Sequence, residues 1–202
     1  MPVSGNGWEF HVDRLGIQAD GARKRTYGAY QVFLDGHAVA NLSGHLCECV
    51  GPGSTVKGGR KRIPQGRYPL WTQFGTRYKT IGYTADPAVP GKIPMPGILL
   101  GDTKPRTAIL IHPGHPPNLF LSSIGCLNPT DPLGPADLMD FPESRSRVVA
   151  LIDSLRDFAP AAFQHKVSTH IANAWAVIDG EPMNLLGAPD AEVAEATISG
   201  RA

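Results

Sequence analysis

Ile109-Leu-Ile-His112-Pro-Gly-His115-Pro-Pro-Asn-Leu-Phe-Leu-Ser122-Ser123-Ile-Gly125-Cys126-Leu127 is the stretch from which the rest of the chain is read. An apolar, strand-like run delivers His112. A Pro/Gly-rich loop follows, and a second short apolar run ends in Ser-x-Gly-Cys. A thiol and an imidazole fourteen positions apart meet in space if the loop folds back on itself. That is the minimum equipment for a cysteine nucleophile with its own base. Gly125, just before the thiol, lets backbone N–H groups turn toward a developing oxyanion. Ser122 and Ser123 place hydroxyl donors beside it.

Outward from this stretch the punctuation is that of a β-rich chain. Residues 7–20 read as one strand with a turn, and Thr26 to Asp35 as a stronger one that alternates between two faces. Asp35-Gly36 is a hairpin turn signal, and Val39 to Val50 returns as the partner strand. Arg67 to Phe74, Gly97 to Gly101, Thr107 to His112 and Ala174 to Ile178 are further strand candidates. Residues 84–97, with four prolines, read as an ordered loop, and the stretch from Asn128 to Pro135 as a turn region. One helix is expected, about Glu143 to Phe158. Val148, Leu151, Ile152 and Leu155 repeat at helical spacing there, with Pro142 near its start and Pro160 closing it. Together these give a mainly β (α+β) domain over residues 1–185, with the C-terminal helix, and a tail over 186–202 rich in small and acidic residues.

Composition narrows the partners. The 202 residues are enough to bury one core without disulfides. Lys and Arg total 19 against 18 Asp and Glu, so no global field draws in nucleic acid. The short basic run Lys57 to Arg62 reads as a solvated loop. No apolar run has the length of a membrane span, and the N-terminus has neither basic n-region nor apolar h-region, so no secretion signal is expected. Three cysteines is an odd number, and Cys47 and Cys49 sit too close along one strand for a relaxed mutual disulfide. His45-x-Cys47-x-Cys49 lacks the spacing of a usual zinc knuckle and reads as structural, with 47 and 49 facing one side. No metal and no cofactor are expected. Gly51 to Gly58 lacks the residues of a phosphate loop.

The segments Ile111-His112-Pro-Gly114 and Ser123-Ile-Gly125-Cys126-Leu127 together resemble the active-site signature of the L,D-transpeptidase (YkuD-like) catalytic domains. Arg25-Thr-Tyr-Gly28, Val32-Phe-Leu-Asp35-Gly36 and Lys61-Arg-Ile63-Pro64-Gln-Gly66-Arg-Tyr68 extend the resemblance over residues 25–130, toward a divergent branch of unknown function. The resemblance implies a β-rich catalytic domain of that fold. It implies attack by the Cys126 thiolate on a carbonyl of a peptidoglycan stem peptide, with His112 as base, giving a thioester that an amine or water resolves. It places Ser123 along the site and Gly125 at the oxyanion turn.

Two departures matter: Ile124 and Asn128 stand where the family usually has His and Arg. Without a guanidinium at position 128 a bidentate carboxylate clamp is lost there. His115, Asn128, Arg67 and Arg106 are therefore the substrate-binding candidates, and hydrolysis competes with transfer as the expected outcome. Two other readings stay open: a non-catalytic module on the same fold that binds cell-wall or protein ligands, and an antibacterial effector with a secretion-system or immunity-protein partner. Action in the periplasm or cell envelope goes with each, after cytoplasmic synthesis and delivery by a secretion system or phage.

Overall fold

The computed structural model describes residues 1–85 and 93–186. Ten strands follow one another as β1 (Trp8–Asp20), β2 (Arg23–Leu34), β3 (His37–Glu48), β4 (Gly66–Thr72), β5 (Tyr78–Lys79), β6 (Met95–Pro96), β7 (Ile98–Leu100), β8 (Leu110–Ile111), β9 (Asn128–Thr130) and β10 (His170–Asp179). One α-helix, α1 (Phe141–Phe158), and a short 3-10 turn at Pro160–Phe163 lie between β9 and β10. Eight strands form one sheet in the order β8-β7-β4-β10-β1-β2-β3-β9, and β5 pairs with β6 apart from it. Among the described residues no helix is long and apolar enough to cross a membrane.

The sheet nearly closes on itself. Ile111, at the end of edge strand β8, bridges in parallel to Leu127, the residue before the opposite edge strand β9. His112 N–H donates to the Leu127 carbonyl at 3.0 Å, and Leu127 N–H to the Leu110 carbonyl at 2.9 Å. Closure leaves fewer unpaired edges and makes a seam between β8 and β9. His112 and Cys126, the base and nucleophile expected from the sequence, both sit on that seam.

The long hairpin of β1 and β2 is the backbone of the sheet. Trp8, Phe10 and Val12 alternate into the core, as do Tyr30 and Val32 from β2. Asp35 and Gly36 both hold positive φ, 47° and 83°, the requirement of a tight two-residue turn into β3. The alternation of β3 sends Leu46 into the main core and Cys47 into a smaller cluster with Tyr27 and Met139. The thiols of Cys47 and Cys49 are free and buried, and burial pushes each up to about 12.

The helix is as its pattern predicts, two residues longer at the start. The Asp140 carboxylate caps it by accepting from Glu143 N–H at 2.8 Å, and Pro142 stands in the first turn. Pro160 prevents its continuation. Val148, Leu151, Ile152 and Leu155 are fully buried in the main core, and Trp8 Nε1 donates to Ser154 Oγ at 3.0 Å. Leu155→Ala is therefore expected to cost about 2–5 kcal/mol in urea unfolding. A change within about 0.5 kcal/mol would remove the stripe from the core.

Three expectations are corrected. The stretch from Thr107 to His112 forms a strand only at Leu110–Ile111, because Ala108 takes φ 56° and interrupts extension. Asn128–Thr130 is not a turn but strand β9, pairing with His45 to Cys47 of β3. Its Pro129 is tolerated on an edge, where a missing N–H costs least. The run Lys57 to Arg62 is not wholly solvated: Arg62 is fully buried and pairs with Glu181 at 3.0 Å. Part of the proline-rich loop over 84–97 and all but the first residue of the tail over 186–202 lie outside the described residues.

Candidate active site

The seam fixes which side chains share a face. With Ile111 opposite Leu127, residue 110 lies opposite 126 and residue 112 opposite 128. Ile111 and Leu127 point into the main core, so Leu110, His112, Cys126 and Asn128 share the other face. Cys126 and His112 are thus diagonal neighbours across the seam, a relation within reach of an imidazole. Both line one cavity of about 490 Å³, together with Tyr78, His115, Asn118 and Ser122.

His112 is held from one side. Its Nδ1 lies 2.9 Å from the Pro113 carbonyl and 3.2 Å from Asn128 Nδ2. A carbonyl only accepts, so the shorter bond assigns the proton to Nδ1. Asn128 Nδ2 then donates to the His112 carbonyl at 3.0 Å. This leaves Nε2 as the basic nitrogen, with no hydrogen-bond partner among the described residues. Burial pulls the imidazole down to about 3, and the Pro113 carbonyl offsets this only in part. His112 is a neutral base at physiological pH.

Cys126 is tied to the backbone of residues 108–110. Its Sγ accepts from Leu110 N–H at 3.3 Å and donates to the Ala108 carbonyl at 3.6 Å. No hydrogen bond joins the thiol to the imidazole among the described residues. Burial pushes the thiol above its ordinary value, while the Leu110 N–H, Ser123 and the Arg106 charge pull it partly back. Thiol and imidazole are both neutral at rest.

The turn before the thiol is preorganised but occupied. Ser123 Oγ accepts from the N–H of Gly125 at 2.8 Å and from the N–H of Cys126, and it donates to the Cys126 carbonyl at 2.9 Å. The two amides expected to face an oxyanion therefore already hold a hydroxyl, and Ser123 is a turn-closing residue rather than an open donor. Gly125 is required at φ 144°, since a Cβ there would lie 1.5 Å from Arg106 Nη2.

The remaining candidates divide. His115 borders the cavity, but its Nδ1 lies 2.9 Å from the Pro116 carbonyl and its Nε2 3.0 Å from the Tyr78 hydroxyl. Arg106 reaches the edge of a second cavity, yet its guanidinium is spent on the carbonyls of Ser54, Lys61 and Ile124 at 2.8–3.0 Å. It is a clamp between the 51–65 loop and the cysteine turn, not a free substrate ligand. Asn128 is fully buried behind His112 and orients it instead of meeting substrate. Arg67 is remote, paired with Glu9 and stacked over Trp175 at 4.6 Å. It lost its candidacy because β4 places it next to β10 and not beside the seam.

Tyr78 was not anticipated. Its ring lies 4.4 Å from that of His112, and its hydroxyl meets His115. Burial pushes the phenol up to about 12, so it stays protonated. The dipeptide Arg77-Tyr78 carries no motif, and only the fold brings it to the cavity. The chain matches no protein-family model, no curated protein and no solved structure.

Proposed function

We propose that the protein is a cysteine-dependent acyl transferase or hydrolase of peptidoglycan stem peptides, working through a thioester on Cys126. The observation that carries this reading is the diagonal placement of Cys126 and a neutral His112 across the seam, both lining one cavity, with His112 Nε2 unpartnered among the described residues. In the proposed reaction the thiol turns away from the Ala108 carbonyl and gives its proton to Nε2. Sγ attacks the peptide carbonyl, and the imidazolium returns the proton to the leaving amine. The Gly125 and Cys126 amides take over the oxyanion once Ser123 Oγ yields them. An amine or water then resolves the thioester by the reverse sequence.

Incubation with defined tetrapeptide and cross-linked muropeptides, read by mass spectrometry, tests the proposal. Cleavage or amino-acid exchange that vanishes in Cys126→Ala is the expected result. Efficient cross-linking would mean that loss of the arginine at position 128 does not matter. The backbone-tied thiol and the occupied amides favour one second reading, a binding module on the same frame. Saturable muropeptide binding without turnover, equal in wild type and Cys126→Ala, would select it. An antibacterial effector acting in the cell envelope remains a proposal of context that shares the same chemistry.

A further inference from the structure

Three cavities meet around the exposed side chain of Ile124. The thiol cavity carries Arg77, the second, of about 310 Å³, carries Lys57 and Arg106, and a third, of about 370 Å³, carries Lys24 and Arg60. No described Asp or Glu lines any of them. The chain as a whole is nearly neutral, so this one-signed lining is local. Several cations elsewhere are matched: Arg23 pairs with Asp20, Arg147 with Asp131, and Arg156 with Asp153. Lys24 and Arg60 form no ion pair with any described residue.

The third cavity adjoins the thiol cavity and shares Asn118, Ser122, Ser123 and Ile124 with it. The hydroxyls on this shared wall are already engaged: Ser122 Oγ lies 3.0 Å and 2.8 Å from the His115 and Asn118 carbonyls, and Ser123 Oγ closes the cysteine turn. The remaining ligating groups are the two cations and the Asn118 carboxamide. A group seated there gains most if it is an anion.

Resting on the acyl-transfer reading, we infer that the cavity between Lys24 and Arg60 is an anion subsite, which seats a carboxylate of the substrate peptide beside the reacting carbonyl. This subsite supplies the charge recognition that Arg67 and Arg106 cannot, since both are committed elsewhere. Arg60 holds φ 49° in the 51–65 loop that Arg106 clamps, so the subsite and the cysteine turn are anchored to the same loop.

The test uses the full chain and the alkylation of Cys126, located by mass spectrometry. A stem tetrapeptide with free carboxylates is expected to protect Cys126 from iodoacetamide at about tenfold lower concentration than its amidated form, the worth of one charge-assisted hydrogen bond. Lys24→Gln and Arg60→Gln each shrink that advantage, while Lys166→Gln, which changes the net charge equally, does not. Equal protection by acid and amide, or an advantage unchanged in both variants, overturns the subsite. A second arm needs no peptide: the ratio of iodoacetate to iodoacetamide rates should fall in Lys24→Gln and Arg60→Gln and fall with salt in wild type. That fall supports the subsite even where no muropeptide is turned over. An unchanged ratio overturns it even where turnover is found.

Discussion

Replacing His112 with glutamine is expected to slow acylation of Cys126 by about 10²–10⁴-fold, the usual worth of a positioned general base. The variant keeps a polar side chain at the seam but has no basic nitrogen. The pH dependence separates this role from a packing role. Because burial holds His112 at about 3 and holds the Cys126 thiol above its ordinary value, the pair is neutral across the physiological range. The alkylation rate of Cys126 should therefore climb through pH 9 with no step near the ordinary histidine value of about 6.5. A plateau already reached below pH 7 would mean a standing thiolate–imidazolium pair, and would overturn the neutral-base assignment.

The same shift has a stability consequence of fixed sign. The unfolded imidazole takes up a proton below about 6.5, whereas the native one resists it until about 3. The unfolded state then binds more protons within that window, so native stability falls as the pH drops through it. His112→Gln should flatten this part of the acid-unfolding curve.

Local chemistry explains what could be read in advance. The β1–β2–β3 meander was legible because Asp35-Gly36 has one good use, a turn with positive φ, and because Tyr30 and Val32 alternate cleanly. The helix was legible from the spacing of Val148 to Leu155 and from its prolines. That Cys126 and His112 would reach one cavity was legible because each ends an apolar run, and two buried runs of this kind pair edge to edge. The seam itself was not legible. Its strands are two and three residues long, one includes Pro129, and their pairing is set by closure of the whole sheet. Tyr78 and the Lys24–Arg60 cavity were hidden for the same reason: their neighbours are distant in sequence. Arg67 and Arg106 misled because an arginine near a motif looks free until its acceptors are found. Here the acceptors are Glu9 for one and three backbone carbonyls for the other.

Arg14→Met is expected to destabilise the protein by about 3–5 kcal/mol, the cost of breaking a buried ion pair from one side. Arg14 lies at the β1 bulge with its side chain out of solvent. It grips Glu48 with two bonds, at 2.8 Å and 2.9 Å, and Glu181 with one at 3.1 Å, and it donates to the Ile63 carbonyl at 2.8 Å. Methionine fills most of the volume, so the loss falls on charge: Glu48, with no exposure of its own, is left without its bidentate partner. Glu181 keeps Arg62 and the N–H groups of Gly53 and Gln65. Although burial raises the Glu181 carboxyl, those partners together with Arg14 hold it below the ordinary carboxylate range. Its contribution is therefore present above about pH 4.5 and lost as pH falls, and Arg14→Met should raise the pH midpoint of acid unfolding. Adding Glu48→Met to Arg14→Met removes the orphaned charge and should recover part of the loss. A single-variant change within about 0.5 kcal/mol in urea unfolding, or a double variant no better than the single, would show that this network does not hold the 51–65 loop. That loop carries the Ser54 and Lys61 carbonyls clamped by Arg106, so the buried charges around Arg14 are continuous with the support of the cysteine turn.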